Sequence, residues 1–90
     1  MKQHITPAQA LEITEDQFYS LFDEIVKRKD WANFHHKKVT IGKCIELLDF
    51  SLIKIEYDGF INNYYVQTNK GTNGKPELID ALFQAVKSIL

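Results

Sequence analysis

The stretch Leu52-Ile53-Lys54-Ile55-Glu56-Tyr57-Asp58-Gly59-Phe60-Ile61-Asn62-Asn63-Tyr64-Tyr65-Val66-Gln67-Thr68 decides how this chain is read, because it alone carries a strand signature and it lies between segments of helical periodicity. Val, Ile, Tyr and Phe crowd it, and Ile53, Ile55 and Tyr57 alternate with Lys54 and Glu56, the pattern of a strand with one apolar face. Asp58-Gly59 offers residues that tolerate positive φ, so the stretch is expected to fold as an antiparallel hairpin. Two registers fit. A turn centred on Asp58-Gly59 sets Tyr57 against Phe60, whereas a loop from Gly59 to Asn62 sets Tyr57 against Tyr64 and Ile55 against Val66. Both place Ile53, Ile55, Tyr57, Tyr64 and Val66 on one face, which is the expected core face.

Upstream, Ile5-Thr6-Pro7 reads as a helix start with Thr6 as N-cap, Pro7 at the first helical position and Gln9 completing a capping box. The signal recurs at Thr14 and Gln17, with Ile13 placed to staple onto Phe18. From Glu15 an apolar stripe of Phe18, Leu21, Phe22, Ile25 and Val26 predicts a helix over 15–29, its acids at the start and Lys27, Arg28 and Lys29 at the end matching the helix dipole. Asp30 to Lys38 shows neither period and reads as a connector, from which Trp31 or Phe34 is expected to fold back onto the core. Thr40 caps a third helix to Asp49, in which Ile41, Cys44, Ile45 and Leu48 form the stripe and Val39 staples onto Cys44. Gly42 inside that helix points to a close packing contact.

Downstream, Asn69 to Lys75 is rich in turn formers and is expected to be a flexible loop. Pro76 opens a last helix whose apolar face comprises Leu78, Ile79, Leu82, Phe83, Val86, Ile89 and Leu90. The expected fold is thus α+β, a small single domain over 1–90 in the order α-α-α-β-β-α. In it, the helices at 15–29 and 76–90 pack on the Ile53, Ile55 and Tyr57 face of a two-stranded hairpin.

Two stretches carry a resemblance: Thr40-Ile41-Gly42-Lys43 with Ile45-Glu46 and Leu48, and Glu77-Leu78 with Asp80-Ala81-Leu82-Phe83, Ala85-Val86-Lys87 and Leu90. Together they resemble a pattern of small uncharacterised proteins of prophages and mobile elements, over roughly the last 50 residues. Ile79 and Phe83 depart from it, standing where that pattern often has Cys and Trp. The resemblance implies a shared fold and brings no activity and no functional residue.

Ninety residues with 44% hydrophobic and 26% charged side chains make an ordinary globular composition. A chain of this size buries only about 60% of its unfolded surface, so its stability margin is thin. No apolar run reaches the roughly 18 residues of a membrane span, and the polar start Met1-Lys2-Gln3-His4 does not resemble a signal peptide, so a cytoplasmic protein is expected. One cysteine, Cys44, agrees with a reducing compartment.

The net charge of −1 is unevenly spread: Lys27, Arg28, Lys29, Lys37, Lys38 and Lys43 stand against Asp30 alone, a local +5 that leaves −6 elsewhere. Cations interleaved with Trp31, Phe34, His35 and His36 are the composition of a single-stranded nucleic-acid surface. The candidate contact set is therefore Lys27, Arg28, Trp31, Phe34, His35, His36, Lys37, Lys38 and Lys43. A solvated face competes with it, since a helix C-terminus already accounts for half the charge and the pI of about 6.3 is not that of a dedicated binder. A winged-helix arrangement shares the order of elements, but its recognition helix would offer only Lys43, Glu46 and Asp49 outward, and carboxylates repel phosphate.

No metal spacing joins His35 and His36 to a second ligand pair, so solvated histidines are expected there. Cys44 lies on an apolar stripe without a base. Gly71-Thr72-Asn73-Gly74-Lys75 lacks the spacing of a phosphate loop. No catalytic, cofactor or metal residue is assigned, and an enzyme is the least favoured class. A non-catalytic interaction or regulatory domain is expected, with nucleic-acid binding as the alternative. A lone hairpin leaves open edges, and Asn63 to Thr68 has no Lys or Pro to guard it. Two readings of that edge stand side by side: a homodimer paired through Tyr65, Val66 and Gln67, or cover by an N-terminal segment or helix of the same chain.

Overall fold

The computed structural model describes residues 1–22 and 36–90. Among them are four α-helices, α1 (Pro7–Ala10), α2 (Glu15–Phe22), α3 (Ile41–Leu48) and α4 (Leu78–Ser88), and a three-stranded antiparallel sheet of β1 (Leu52–Asp58), β2 (Asn63–Thr68) and β3 (Gly71–Lys75). The fold is α+β. No helix among the described residues is long and apolar enough to cross a membrane.

The capping signals act as expected. Thr6 Oγ1 accepts the Gln9 N–H at 3.1 Å while Gln9 Oε1 accepts the Thr6 N–H at 2.8 Å, and Thr14 and Gln17 repeat the exchange at 3.1 and 2.9 Å. Each box satisfies backbone donors that a helix start otherwise leaves open. Ile13 and Phe18 are both buried, as the staple requires. Residues 23–29 of the expected second helix, and Trp31 and Phe34 of the connector, lie outside the described residues. Thr40 Oγ1 caps α3 through the Lys43 N–H at 3.1 Å, with Val39 and Cys44 fully buried beside it. The chain then turns through a 3₁₀ segment, Asp49–Ser51, whose first residue takes φ 44°.

The hairpin takes the longer-loop register, with Tyr57 opposite Tyr64 and Ile55 opposite Val66. Asp58 Oδ1 accepts the Phe60 N–H at 2.9 Å, and the positive φ of the loop falls on Asn62 (50°) rather than on Gly59. Asn tolerates that conformation because its short polar side chain bonds locally, and Asn62 Oδ1 accepts the Tyr57 hydroxyl at 2.8 Å.

Four expectations need correction. Asn69 to Lys75 is not a free loop: Asn69 and Lys70 form a tight turn, and Gly71–Lys75 is a strand paired with β2 from Thr68↔Gly71 to Tyr64↔Lys75. Its side chains have little strand propensity, so β2 serves as a template for it. Pro76 precedes α4 by two residues, and Glu77 is the N-cap without a side-chain cap bond. Gly42 is exposed, with nothing within 4 Å of where a Cβ would stand, so no packing contact requires it.

The fourth correction concerns the sheet face. Helix α4 packs on β2, β3 and α3, which moves the core to one side of the sheet. Ile79, Leu82, Phe83 and Val86 are buried with Val66, while Ile53, Ile55 and Tyr57 are exposed on β1. A one-residue bulge at Ile53, between Leu52↔Thr68 and Lys54↔Gln67, leaves that residue without a cross-strand partner.

The N-terminal arm packs on the same side, against the start of α3 and along α4. His4 bridges Thr40, with Ile5 N–H donating to Val39 O and Ile41 N–H to Gln3 O, both at 3.1 Å. Asp80, at the start of α4, accepts from Lys2 Nζ at 2.7 Å and Gln9 Nε2 at 2.6 Å, and Lys87 near its end reaches Glu12 at 2.6 Å.

Candidate functional site

Of the nine residues of the candidate contact set, Lys27, Arg28, Trp31, Phe34 and His35 lie outside the described residues. Lys37 and Lys38 are exposed on a 3₁₀ turn, His36–Lys38. His36, expected in solvent, is buried instead and meets the His4 ring edge-on at a centroid distance of 5.4 Å. A ring held there is closed to stacking on a base. Lys43 lies on the first turn of α3 with Nζ 3.4 Å from Glu46 Oε1, so part of its charge is met within the chain.

Cys44 is fully buried between α3 and the core, and removal from water pushes its thiol up to about 12. A thiol that stays protonated at neutral pH is a small hydrophobe and a poor nucleophile. Among the described residues, no three His, Cys, Asp or Glu side chains converge as metal ligands would.

The expected docking edge at Tyr65, Val66 and Gln67 is occupied within the chain. Strand β2 lies between β1 and β3, Val66 is fully buried, and Tyr65 and Gln67 point to the outer sheet face. Two strand edges have no strand partner among the described residues, those of β1 and β3, and of the two β1 carries the large apolar side chains while β3 is Gly71-Thr72-Asn73-Gly74-Lys75.

The β1 edge is apolar on the core-side face and charged on the other. Ile55 lies on the face shared with Val66, is 37% exposed, and is flanked by the more exposed Ile53 and Tyr57. At the two ends of the strand, Phe50 is 96% and Phe60 100% exposed, with Ile61 beside the latter. Isolated apolar side chains are ordinary on a surface, but a contiguous run along an unpaired strand is where chains associate. On the opposite face Lys54 Nζ and Glu56 Oε1 pair at 2.9 Å, beside Tyr65, Gln67 and Thr72, around an open groove of about 240 Å³. A second open groove, of about 390 Å³, runs from Glu56 past Phe60 at the hairpin tip.

The sequence pointed to Ile53, Ile55 and Tyr57 as apolar face, yet as core and not as surface. The missed signal was Gly71-Thr72-Asn73-Gly74-Lys75: read as a strand, it fills the edge of β2 and leaves β1 and β3 as the outer strands. Phe50, Phe60 and Ile61 belong to no helical stripe, a second sign that they serve something other than the core.

No protein-family model matches the chain, and neither does any curated protein or solved structure.

Proposed function

We infer that this chain is a non-catalytic protein-interaction domain whose docking surface is the outer edge of β1. The observation that carries this reading is the run of exposed Phe50, Ile53, Ile55, Tyr57 and Phe60 along a strand whose backbone has no partner on one side among the described residues. A strand added there would satisfy open N–H and C=O groups and remove apolar surface from water at about 25 cal/mol per Å². A cytoplasmic setting belongs to the same reading. So does an origin in a prophage or mobile element, supported by the resemblance at 40–48 and 77–90.

The test is capture from an extract of the source cells with the immobilised chain and with its Ile55→Lys variant. Proteins retained by the first and lost by the second are expected. An identical set on both would remove β1 as the docking surface.

A further inference from the structure

Resting on that reading, we propose that the partner of β1 is a second copy of the same chain, paired antiparallel about a twofold axis at Ile55. A twofold axis normal to a sheet keeps each face on its own side, so residues opposite each other must come from the same face of β1. That leaves three central registers. With the axis at Lys54, that ammonium meets its own copy; with the axis at Glu56, carboxylate meets carboxylate. Only the axis at Ile55 sets Lys54 against Glu56 of the second copy twice over, and like charges directly opposite are the arrangement that antiparallel pairs avoid. Lys54 and Glu56 already lie 2.9 Å apart on one face with more than half of each side chain exposed, so the second copy meets an alternating pattern rather than a single charge.

The apolar side of the strand fits the same axis. Ile55 meets Ile55, and Tyr57 lies across from the Ile53 region of the other chain. Phe50 and Phe60, the most exposed of the large apolar residues, stand five positions before and five after Ile55. Antiparallel pairing about that residue therefore gathers Phe60 of each copy to the end where Phe50 of the other emerges. The product is a continuous six-stranded sheet from the described strands of two copies, with α4 of both on the same face.

Such charges on an edge strand also serve elsewhere to repel foreign strands, and the experiment separates the two roles. Sedimentation equilibrium is run from about 5 to 500 µM, the range of a modest interface, on the wild type, Lys54→Glu, Glu56→Lys and an equimolar mixture of the two variants. The wild type is expected at twice the 10.5 kDa chain mass at the upper concentrations. Each reversal is expected to weaken self-association at least about tenfold, since two attractive pairs become two repulsive ones. The mixture is expected to recover it, because an all-Glu strand then faces an all-Lys strand. Both positions are exposed, so circular dichroism should show the variants folded. A wild type of 10.5 kDa throughout would overturn the proposal, as would a dimer indifferent to both reversals or a mixture no tighter than its parts. A monomer whose protein capture still depends on Ile55 would overturn self-pairing alone. A monomer with no such capture would also remove the docking surface.

Discussion

The ring of Tyr65 occupies the space over Gly74: a Cβ at that glycine would lie 2.8 Å from Cε1 and 3.0 Å from Cδ1. The two residues face each other directly across β2 and β3, so the absence of a side chain on one strand makes room for an aromatic ring on the next. Gly74→Ala is expected to cost about 1 kcal/mol, the crowding outweighing the entropy that alanine removes from the unfolded chain. Urea denaturation measures it. In a Tyr65→Ala background the same change should cost less, Asn63 Nδ2 at 3.0 Å being the close neighbour that remains, and equal costs in both backgrounds would exclude the contact.

Gly42 makes the opposite case. It is helical and exposed, and a methyl group there meets nothing within 4 Å. Gly42→Ala should stabilise the protein by about 0.4–1 kcal/mol, raising the thermal midpoint by a few degrees. A midpoint that falls would mean that the α3 start needs glycine for a reason outside the described contacts.

Burial of Cys44 has a pH signature. The thiol rises from an ordinary 9.0 to about 12, so the folded chain holds a proton that the unfolded chain releases near 9. The stability from that difference is complete below about pH 9 and is lost as pH climbs toward 12, at about 1.4 kcal/mol per pH unit. Cys44→Ala abolishes this slope. The gap in stability between wild type and variant should therefore narrow as pH rises from 9 to 10.5, and a constant gap would contradict a buried thiol. At pH 8 the native thiol should react with an alkylating reagent far more slowly than in the unfolded chain.

Single-stranded oligonucleotides test the alternative function. With His36 buried and Lys43 beside Glu46, the described part of the basic segment offers little beyond Lys37 and Lys38. Fluorescence anisotropy at low salt is expected to detect no binding. Affinity that falls steeply with ionic strength and vanishes in Lys37→Glu/Lys38→Glu would instead favour nucleic-acid contact.

What could be read from the sequence was whatever is written in local chemistry. The caps at Thr6, Thr14 and Thr40 and the stripes of α3 and α4 announce themselves within a few residues, and so does the hairpin, although its register stayed open between two pairings. What could not be read depends on neighbours distant in the chain. Gly71–Lys75 is a strand because Tyr64 to Thr68 lies beside it, and no propensity of Thr72 or Asn73 says so. The exposure of Ile55 depends on where α4 settles, and α4 chose β2 and β3. The candidate site was missed for the same reason: an apolar face of alternating residues looks identical whether a helix or another chain covers it.

The tethers between the N-terminal arm and α4 carry a consequence for the chain as it leaves the ribosome. Lys2 bonds to Glu77 and Glu12 to Lys87, in each case across 75 positions of sequence. Ile5 and Ile13 bury themselves in a core that Ile79, Leu82 and Phe83 help to build, so these two residues cannot reach their resting places until α4 has emerged. Closing so long a loop is the slow kind of step in folding. Until it is taken, the nascent chain displays the apolar surface of its arm and the edge of β1 together, and the order in which the two are covered decides between a folded protomer and a tangle of paired strands.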